Sequence, residues 1–538
     1  MPILQWLNRE ESIRKSSKVP YRLLEVDDSL SYGDKDTENM LIQGDNLDAL
    51  KALLPYYAGK VKCIYIDPPY NTGGAFQHYD DNLEHSIWLS LMYPRLELLR
   101  ELLSDGGFIC CQIDDAESHY LKILLDEVFG RQNYQTSLYF QVRYSNKTLA
   151  EDSNYQKVIE QCFVYSKGKS KPNKVKKSYS IEKFEWKITE LSKGEPLELG
   201  GKQAFLFRKG EYKIEKINSS FDGLKETWAT GSLIKQKKSS GEFLHLHIAT
   251  RKDTDGLNCL YKVEGIGEDG LGYRYFTGPK KAAATKGKFY SGIPLTTLEA
   301  LKLGSAVKEV PIPNFYDFSS SFGNCRHEGN ADFRSGKKPE SLLRLILDRF
   351  SNVGDLVLDS FLGSGSTAAV AHKMGRRYIG IEMGEHAKTH CSERLKLVVE
   401  SDSTGISKEL NWQGGGGFRF YHLGEPIFDD KGHINPKIKF DHLAAHVWFC
   451  ETHTPFESKD KSAFLGIHND VAYYLLYNGI LGDKRPHGGN VLTNKILDTL
   501  PKHDGAKVIY GESSRISDKK LKALNITFKQ TPYDVKSS

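Results

Sequence analysis

The sequence lacks the features of a metal- or thiol-based enzyme. Its eight cysteines are scattered, and none form a Cys-x-x-Cys pair or a Cys/His cluster at the spacing of zinc ligands. We therefore expect no bound metal. Scattered, unpaired cysteines are typical of a reduced, cytoplasmic protein, and Cys110 and Cys111, inside an apolar run, are predicted to be core residues.

Long apolar runs and a strong net charge are also missing. No stretch approaches the length of a membrane span, and the formal net charge is only +5 over 538 residues. A chain of this length should hold more than one domain. Lysines are nevertheless concentrated in two stretches, at Lys167, Lys169, Lys171, Lys174, Lys176 and Lys177 and at Lys280, Lys281 and Lys286. Such stretches are either solvated surface or phosphate-binding sites.

The order of apolar runs and helix-like segments predicts an α/β fold interrupted by a different kind of domain. Alternating strands and helices over 41–165, and again over 314–400, indicate one mainly parallel sheet covered by helices. Between them, 166–313 is rich in Lys, Gly, Tyr and Phe in short alternating runs, which predicts an inserted domain of β-hairpins. An N-terminal extension over 1–40 and a separate mixed domain over 401–538 complete the predicted organisation.

The most informative segment is Asp67-Pro68-Pro69-Tyr70, directly after the apolar run 61–66. The run is typical of a buried strand, and the prolines end it because they fix φ and lack backbone donors. A carboxylate, fixed carbonyls and an aromatic ring then stand at the carboxyl end of a strand, where open α/β sheets bind ligands. These groups suit a planar, amino-substituted ring; the alternative interpretation is a surface turn.

A second strand, loop and helix combine glycines with polar residues, namely Asp359, Phe361, Gly363, Gly365, Ser366 and Thr367. Glycines let a ligand approach the backbone, and a helix N-terminus offers free N–H donors. Glu382 ends the next strand, where a carboxylate can accept hydrogen bonds from ribose hydroxyls. With Ala368 the loop also satisfies the Gly-x-Gly-x-x-Ala fingerprint, so a dinucleotide site stays open, as does a tight turn without a ligand.

Asp45 follows another short strand and has two interpretations. An Asp in this position is usually a turn former or a helix N-cap, which is the simpler interpretation. The alternative is a hydrogen bond to the base of a bound nucleoside.

With these segments, the chain resembles the S-adenosylmethionine-dependent amino-methyltransferases of DNA. The segment 67–70 is similar to their catalytic motif, and Phe361-x-Gly363-x-Gly365 is similar to their cofactor loop. The catalytic motif precedes the cofactor loop, as in the circularly permuted β class. The strings at 44–47, 103–115 and 334–339 further resemble the modification subunits of type III restriction systems.

The resemblance implies a Rossmann-like methyltransferase sheet with an inserted, β-rich target-recognition domain. It implies methyl transfer from S-adenosylmethionine to adenine N6 of a base flipped out of duplex DNA, because Asp in the first motif position is typical of adenine enzymes. Asp67, Pro68, Pro69 and Tyr70 would be catalytic. Cofactor contacts are implied for Asp45, Lys338, Pro339, Asp359, Phe361, Gly363, Gly365, Ser366, Thr367 and Glu382.

Partners are implied by the same resemblance. We expect double-stranded DNA as substrate, a homodimer, a separate ATP-dependent restriction subunit, and no membrane association. The lysines would hold phosphates while the insert reads base edges. Two alternatives stay open: an NAD-dependent oxidoreductase built on Gly363-x-Gly365, and a non-catalytic DNA-recognition subunit.

Overall fold

The chain divides into two compact units. The first contains Met1–Asn173 and Pro313–Ser538, and the second contains Lys174–Ile312. The computed structural model describes residues 3–71, 84–147, 154–229, 240–281, 283–284, 286–330, 336–429, 431–458 and 460–535. Over these ranges, no helix combines the length and apolar character needed to cross a bilayer.

The first unit is built on a sheet to which the described residues contribute ten strands. Numbered along the chain, these are β1 (Arg22–Gly33), β2 (Met40–Gln43), β3 (Val61–Ile66), β4 (Leu103–Ile113), β5 (Tyr134–Gln141), β6 (Ile159–Ser166), β17 (Phe315–Asp317), β18 (Leu356–Asp359), β19 (Arg377–Glu382) and β20 (Gly417–Pro426). Their order is β1-β20-β2-β19-β18-β3-β4-β6-β5-β17. The centre, from β2 to β4, is parallel, whereas β6 runs antiparallel to both β4 and β5.

Helices cover both faces of this sheet because its central strands are apolar on both sides. On β3, Ile64 and Ile66 face one core cluster and Cys63 and Tyr65 face the other, and all four are buried. The helices of this unit in the described ranges are Arg9–Lys18, Asn46–Tyr57, His85–Leu102, Ser118–Leu125, Ser319–Asn324, Glu340–Phe350, Ser366–Lys373, Glu393–Val399, Ser407–Leu410, Phe440–Thr452, Asn494–Thr499 and Asp518–Ala523. Shorter π or 3-10 turns occupy Asp126–Gly130, Arg131–Asn133, Cys325–Asn330 and Ala387–Ser392.

The second unit is rich in β structure. Its described strands are β7 (Val175–Ser178), β8 (Trp186–Glu190), β9 (Glu195–Leu199), β10 (Lys202–Phe207), β11 (Tyr212–Lys216), β12 (Lys225–Trp228), β13 (Leu260–Glu264), β14 (Tyr273–Thr277), β15 (Lys288–Ser291) and β16 (Val307–Val310). One sheet has the order β12-β15-β14-β13-β10-β9, and two ribbons pair β8 with β11 and β7 with β16. Short helical segments lie at Ser240–Phe243, Leu244–Ile248, Ala249–Arg251, Lys252–Asp255 and Leu295–Lys302.

The C-terminal part of the first unit carries a smaller sheet. Its strands are β21 (Phe464–His468), β22 (Val471–Leu475), β24 (Ala506–Gly511) and β26 (Ile526–Gln530), in the order β21-β22-β24-β26, while β23 (Val491–Leu492) pairs with β25 (Ser513–Ser514). Helix Phe440–Thr452 contributes Leu443 and Ala444 to the core cluster that helix Asn46–Tyr57 also enters. This part therefore shares a core with the large sheet.

The mainly parallel α/β sheet and the β-rich insert confirm the predicted fold class. Two predicted boundaries differ from the observed arrangement. β1 lies in the predicted extension 1–40 and β20 lies in the predicted separate domain 401–538, yet both are strands of the large sheet. They pair antiparallel, Arg22 opposite Pro426, and local periodicity cannot reveal partners so far apart in sequence.

Candidate active site

Residues 67–70 leave the sheet at its carboxyl edge and are anchored by a neighbouring helix. β3 ends at Ile66, and the prolines that follow lack the N–H groups needed to continue it. The indole N–H of Trp88, buried on helix His85–Leu102, donates to the Pro69 carbonyl oxygen at 2.8 Å. The side chains of Asp67 and Tyr70 therefore project from a fixed backbone.

The Asp67 carboxylate is largely buried, and only one of its two oxygens accepts a hydrogen bond from another described residue by distance and angle. Its Oδ2 accepts a hydrogen bond from Lys338 Nζ at 2.5 Å, whereas its buried Oδ1 has no hydrogen-bond partner among the described residues. Burial raises the pKa of Asp67; Lys338 opposes this effect and Glu160 reinforces it. An unpaired buried carboxylate oxygen is costly, so Oδ1 marks a place for an N–H donor from outside the protein.

Asp67 faces a cavity of about 780 Å³, within the size range of small-molecule sites. All four residues of the segment 67–70 line it. The Lys338 ammonium lies 4.9 Å from the centre of the Tyr70 ring, a cation–π distance. Further aromatic and basic side chains line the cavity, among them Tyr144, Phe322, Arg143, Lys147 and Lys157.

The glycine loop lies at the same edge, between β18 and helix Ser366–Lys373. Gly363 and Gly365 have φ values of 57° and 78°, in the left-handed region that favours glycine. A Cβ on Gly365 would lie 3.2 Å from the Cα of Cys391. Glycine at 365 is thus favoured by both its backbone conformation and its neighbour.

Two buried carboxylates hold this loop. Asp359 Oδ1 accepts a hydrogen bond from the Phe361 amide at 2.9 Å, and its Oδ2 accepts one from the Thr367 hydroxyl at 2.6 Å. Glu382 Oε2 accepts a hydrogen bond from the Gly363 amide at 2.7 Å. Burial raises the pKa of Asp359 to about 7 and also raises that of Glu382.

Asp359→Asn should make the stability of the protein less dependent on pH, because Asp359 lowers that stability as the pH rises. The folded pKa of about 7 lies above the ordinary 3.8, so the folded protein binds this proton more tightly than the unfolded chain. The contribution of Asp359 to stability should therefore fall as pH rises from about 4 to about 7 and then level off. Urea unfolding of both proteins across this range measures the difference; parallel stability curves would contradict it.

Asp45 is the N-cap of helix Asn46–Tyr57, the simpler of its two predicted roles. Its carboxylate accepts the Leu47 amide at 2.7 Å and lies 3.2 Å from Arg95. β2 pairs in parallel with β19 so that Gln43 lies opposite Glu382. Asp45 therefore follows directly from the strand beside Glu382, and a contact with a bound base stays a prediction.

Two predicted cofactor residues, Ser366 and Thr367, support the loop with their side chains. Arg394 donates to Ser366 Oγ at 2.6 Å, and Thr367 bonds Asp359 as described. Pro339 is buried at the N-cap position of helix Glu340–Phe350. Ser366 and Thr367 also line a narrow cleft over the loop, whereas Pro339 is not among the residues that line either cavity.

A buried ionic cluster lies behind the loop. Glu340 pairs with Lys373 at 2.8 Å and with Arg394 at 2.7 Å, and all three side chains are inaccessible to solvent. Asp402 supplies a second carboxylate, 2.5 Å from Lys373. Because Arg394 also bonds Ser366, this cluster fixes the start of the helix that follows the glycine loop.

The narrow cleft over the loop meets the large cavity at Asp67. It encloses about 20 Å³ and is lined by Asp359, Phe361 and the loop glycine Gly363. Both cavities share Asp67, Gly336 and Lys338 as lining residues. A nucleoside on the loop would have to widen the cleft, and it would then meet a ligand in the large cavity at Asp67.

The predicted phosphate-binding lysines fall into two groups. The Lys167 ammonium donates to the carbonyl oxygens of Arg100 and Leu103 at 3.1 and 2.8 Å, at the end of helix His85–Leu102, where a cation is stabilising. Burial also lowers its pKa. Lys167 thus bonds the end of this helix, and its role in holding phosphates stays a prediction. The remaining predicted lysines are exposed: Lys169, Lys171, Lys174, Lys176, Lys177, Lys280 and Lys281.

Sequence reasoning missed Glu160, which accepts a hydrogen bond from the Tyr70 hydroxyl, and Gln112, which donates to Glu160. Gln112 is near the end of β4, and Glu160 is near the start of β6. They meet because β6 runs antiparallel to β4, so the start of one strand lies beside the end of the other. No local pattern in the sequence marks this direction.

The sheet, the glycine loop and the carboxylate between two cavities define an α/β protein with a nucleotide-type site at the carboxyl edge of its strands. The comparison with protein families gives the finer assignment. The chain belongs to the DNA methylase family (N6_N4_Mtase), whose profile matches residues 61–393.

Among curated proteins, the chain is similar to modification subunits. It is 35% identical over 408 residues to a probable type III restriction-modification enzyme HindVI Mod subunit of Haemophilus influenzae, covering 72% of this chain and 54% of that one. It is 29% identical over 425 residues to the type III restriction-modification enzyme EcoPI Mod subunit of Escherichia phage P1, covering 69% and 60%. The chain thus spans little more than half the length of these relatives.

Among solved structures, the chain is similar to PvuII DNA methyltransferase (cytosine-N4-specific). The identity is 12% and the TM-score 0.33, covering 70% of this chain and 91% of that one. A likeness this low carries no argument about function.

Proposed function

We propose that this protein is a site-specific DNA methyltransferase that transfers a methyl group from S-adenosylmethionine to adenine N6, as the modification subunit of a restriction–modification system. One observation carries the proposal: the cleft over the glycine loop and the large cavity share a wall at Asp67. A group donor and a group acceptor would meet there. Membership of the DNA methylase family supports DNA as the substrate.

Asp67 and Pro68 can orient the amino group of a base. An exocyclic amine is a weak nucleophile because its lone pair is delocalised into the ring. Asp67 Oδ1 can accept one N–H and the Pro68 carbonyl oxygen the other, which favours a pyramidal nitrogen with a localised lone pair. The proton that this nitrogen loses can pass to Asp67, because burial raises the pKa of that carboxyl.

A base would reach Asp67 only after leaving the duplex, which costs a few kcal/mol of unstacking. The cavity is lined with groups that can offset this cost. Tyr70 and Phe322 offer aromatic surface for stacking, and Arg143 and Lys147 offer cations for the flanking phosphates.

The groups around the loop fit a nucleoside that carries an amino acid. When bound, S-adenosylmethionine supplies an electrophilic methyl group on a sulfonium centre. Glu382 accepts the Gly363 amide at Oε2 and the Met383 and Gly384 amides at Oε1, so Oε2 keeps a lone pair for a ribose hydroxyl. Asp45 follows the strand next to that of Glu382 and could contact the base. Asp359, Lys338 and the loop of Phe361, Gly363 and Gly365 would face the methionine part.

The finer parts of the proposal concern the base, the system and the partners. Asp at position 67 favours adenine over cytosine, and the names of the relatives favour a type III system. A homodimer, a separate ATP-dependent restriction subunit and a cytoplasmic location belong to the same proposal. The unit Lys174–Ile312 would read the target sequence, and the C-terminal part would serve dimerisation or docking.

Incubation with methyl-tritiated S-adenosylmethionine and unmethylated duplex DNA tests the proposed activity. We expect label in N6-methyladenine after hydrolysis of the DNA to nucleosides. Label in N4-methylcytosine would contradict the adenine assignment. Binding of the cofactor and of DNA without transfer would favour a recognition subunit, and calorimetric binding of NAD in place of S-adenosylmethionine would favour the oxidoreductase.

Neutralising exposed lysines near the start of the second unit should weaken DNA binding and make the affinity less dependent on salt concentration. Each phosphate contact adds about 0.9 to the slope of log affinity against log salt. A variant with Lys169, Lys171, Lys176 and Lys177 changed to Gln should therefore bind DNA with a shallower slope in filter binding. Its control changes four exposed lysines of the C-terminal part, namely Lys431, Lys484, Lys495 and Lys519. Equal slopes for the two variants would reject this role.

A further inference from the structure

A hydrogen-bonded polar chain runs across three neighbouring strands beneath the Tyr70 ring. The Tyr65 hydroxyl on β3 donates to Gln112 Oε1 at 2.8 Å, and Gln112 Nε2 on β4 donates to Glu160 Oε2 at 2.6 Å. The Tyr70 hydroxyl donates to the same Glu160 oxygen at 2.8 Å. The chain thus ends on the ring that follows the two prolines.

Glu160 also faces the ammonium that holds Asp67. Lys338 Nζ lies 2.5 Å from Asp67 Oδ2, 3.9 Å from Glu160 Oε2 and 4.9 Å from the centre of the Tyr70 ring. The Lys338 and Glu160 side chains are only 7% and 15% exposed. One cation is therefore shared by two carboxylates and a ring, and its position depends on both acids.

We propose that Glu160 is a positioning residue for methyl transfer, which acts by fixing the Tyr70 ring and the Lys338 ammonium relative to Asp67. This inference rests on the proposed function. Glu160 touches neither reacting atom: it holds the hydroxyl end of the ring on which the base would stack. With that end released, the ring can turn, and the base amino group then moves away from Asp67 Oδ1. A misplacement of about 1 Å can lower a rate about 100-fold.

The fixed position of Tyr70 cannot come from its backbone alone. The anchor from Trp88 ends at the Pro69 carbonyl, and the Tyr70 side chain keeps its own rotations beyond that point. The hydrogen bond to Glu160 restrains the hydroxyl end, and the same hydroxyl also interacts with the Asp67 carboxylate. Gln112 and Tyr65 in turn keep the acid from rotating.

Kinetics of Glu160→Ala, Tyr70→Phe and the double variant test the inference. We expect Glu160→Ala to lower kcat about 10- to 100-fold, with KM for S-adenosylmethionine and for DNA unchanged within about threefold. Because Glu160 acts partly through the Tyr70 hydroxyl, the loss in the double variant should be smaller than the product of the two single losses. Glu160→Gln keeps an oxygen that can accept from Tyr70 and should recover much of kcat. The exposed Glu182→Gln serves as the matched control.

Three results would overturn the inference about Glu160 but leave the proposed function intact. These are an unchanged kcat in Glu160→Ala, losses in the double variant that equal the product of the single losses, and a change in KM without a change in kcat. Thermal melting of each variant identifies a folding defect, and Glu160→Gln, which keeps the shape of the side chain, then decides the question. Absence of methyl transfer by the unaltered protein would instead overturn the proposed function, and this inference with it.

Discussion

Asp67→Asn should lower the rate of methyl transfer by about 100- to 10,000-fold while binding of S-adenosylmethionine and DNA largely survives. The amide keeps the size of the side chain, but only one of its two ends accepts hydrogen bonds. Lys338 lies 2.5 Å from Oδ2 and is a pure donor, so it will select the amide oxygen. The NH₂ group then faces the substrate amine, and no hydrogen bond forms because both groups are donors. Single-turnover transfer of a tritiated methyl group measures the loss.

The matched control for this variant is Asp36→Asn, an exposed carboxylate at the surface of the same unit. It should transfer methyl groups at the unaltered rate. Asp67→Ala should be at least as slow as Asp67→Asn, because it also removes the partner of Lys338. A normal rate in either Asp67 variant would show that the segment 67–70 is not the catalytic site.

Glu340→Ala should destabilise the protein by about 3–5 kcal/mol, the cost of leaving the buried Arg394 guanidinium without its carboxylate, while Lys373 keeps Asp402. Lys373 and Arg394 are both inaccessible to solvent and both pair with this carboxylate. Burial alone would raise the pKa of Glu340, but the two cations outweigh it and hold that pKa below its ordinary value. Urea unfolding at neutral pH, followed by far-UV circular dichroism, measures the change in the free energy of unfolding.

Glu409→Ala is the control for this second prediction. Glu409 pairs with Arg344, which lies on the helix that begins at Glu340, but the Glu409 side chain is 64% exposed. Surface ion pairs contribute only about 0–1 kcal/mol. A change of similar size in the two variants would show that burial does not set the strength of the Glu340 cluster. Glu340→Ala should also weaken cofactor binding, because Arg394 is bonded to the start of the helix after the glycine loop.

The central strands and their loops could be predicted because their signals are local. The run before Asp67 is apolar except for Lys62, because β3 is buried on both faces beyond that residue. The prolines that follow end the strand within the sequence itself. The glycines at 363 and 365 are needed for positive φ, so a local pattern again reports the structure. The segment 67–70 and the glycine loop could therefore be predicted from sequence alone.

The residues that escaped prediction depend on contacts between distant parts of the chain. Charged residues in helices usually indicate a solvated face, yet Lys373 and Arg394 are buried because Glu340 and Asp402 together balance their charges. Lys167 looked like part of a basic stretch, whereas its ammonium caps a helix from another part of the chain. Glu160 becomes visible only when β6 is known to run antiparallel.

The pairing of β7 with β16 has an evolutionary consequence. These strands are the first and last of the second unit, and their antiparallel register sets Val175 opposite Val310. The two ends of the unit therefore leave side by side, while Asp67 and Lys338, 271 positions apart in sequence, belong to the other unit. If this unit reads the target as proposed, recombination at two neighbouring positions in the gene would exchange it and change the target sequence, while the segment around Asp67 stayed the same.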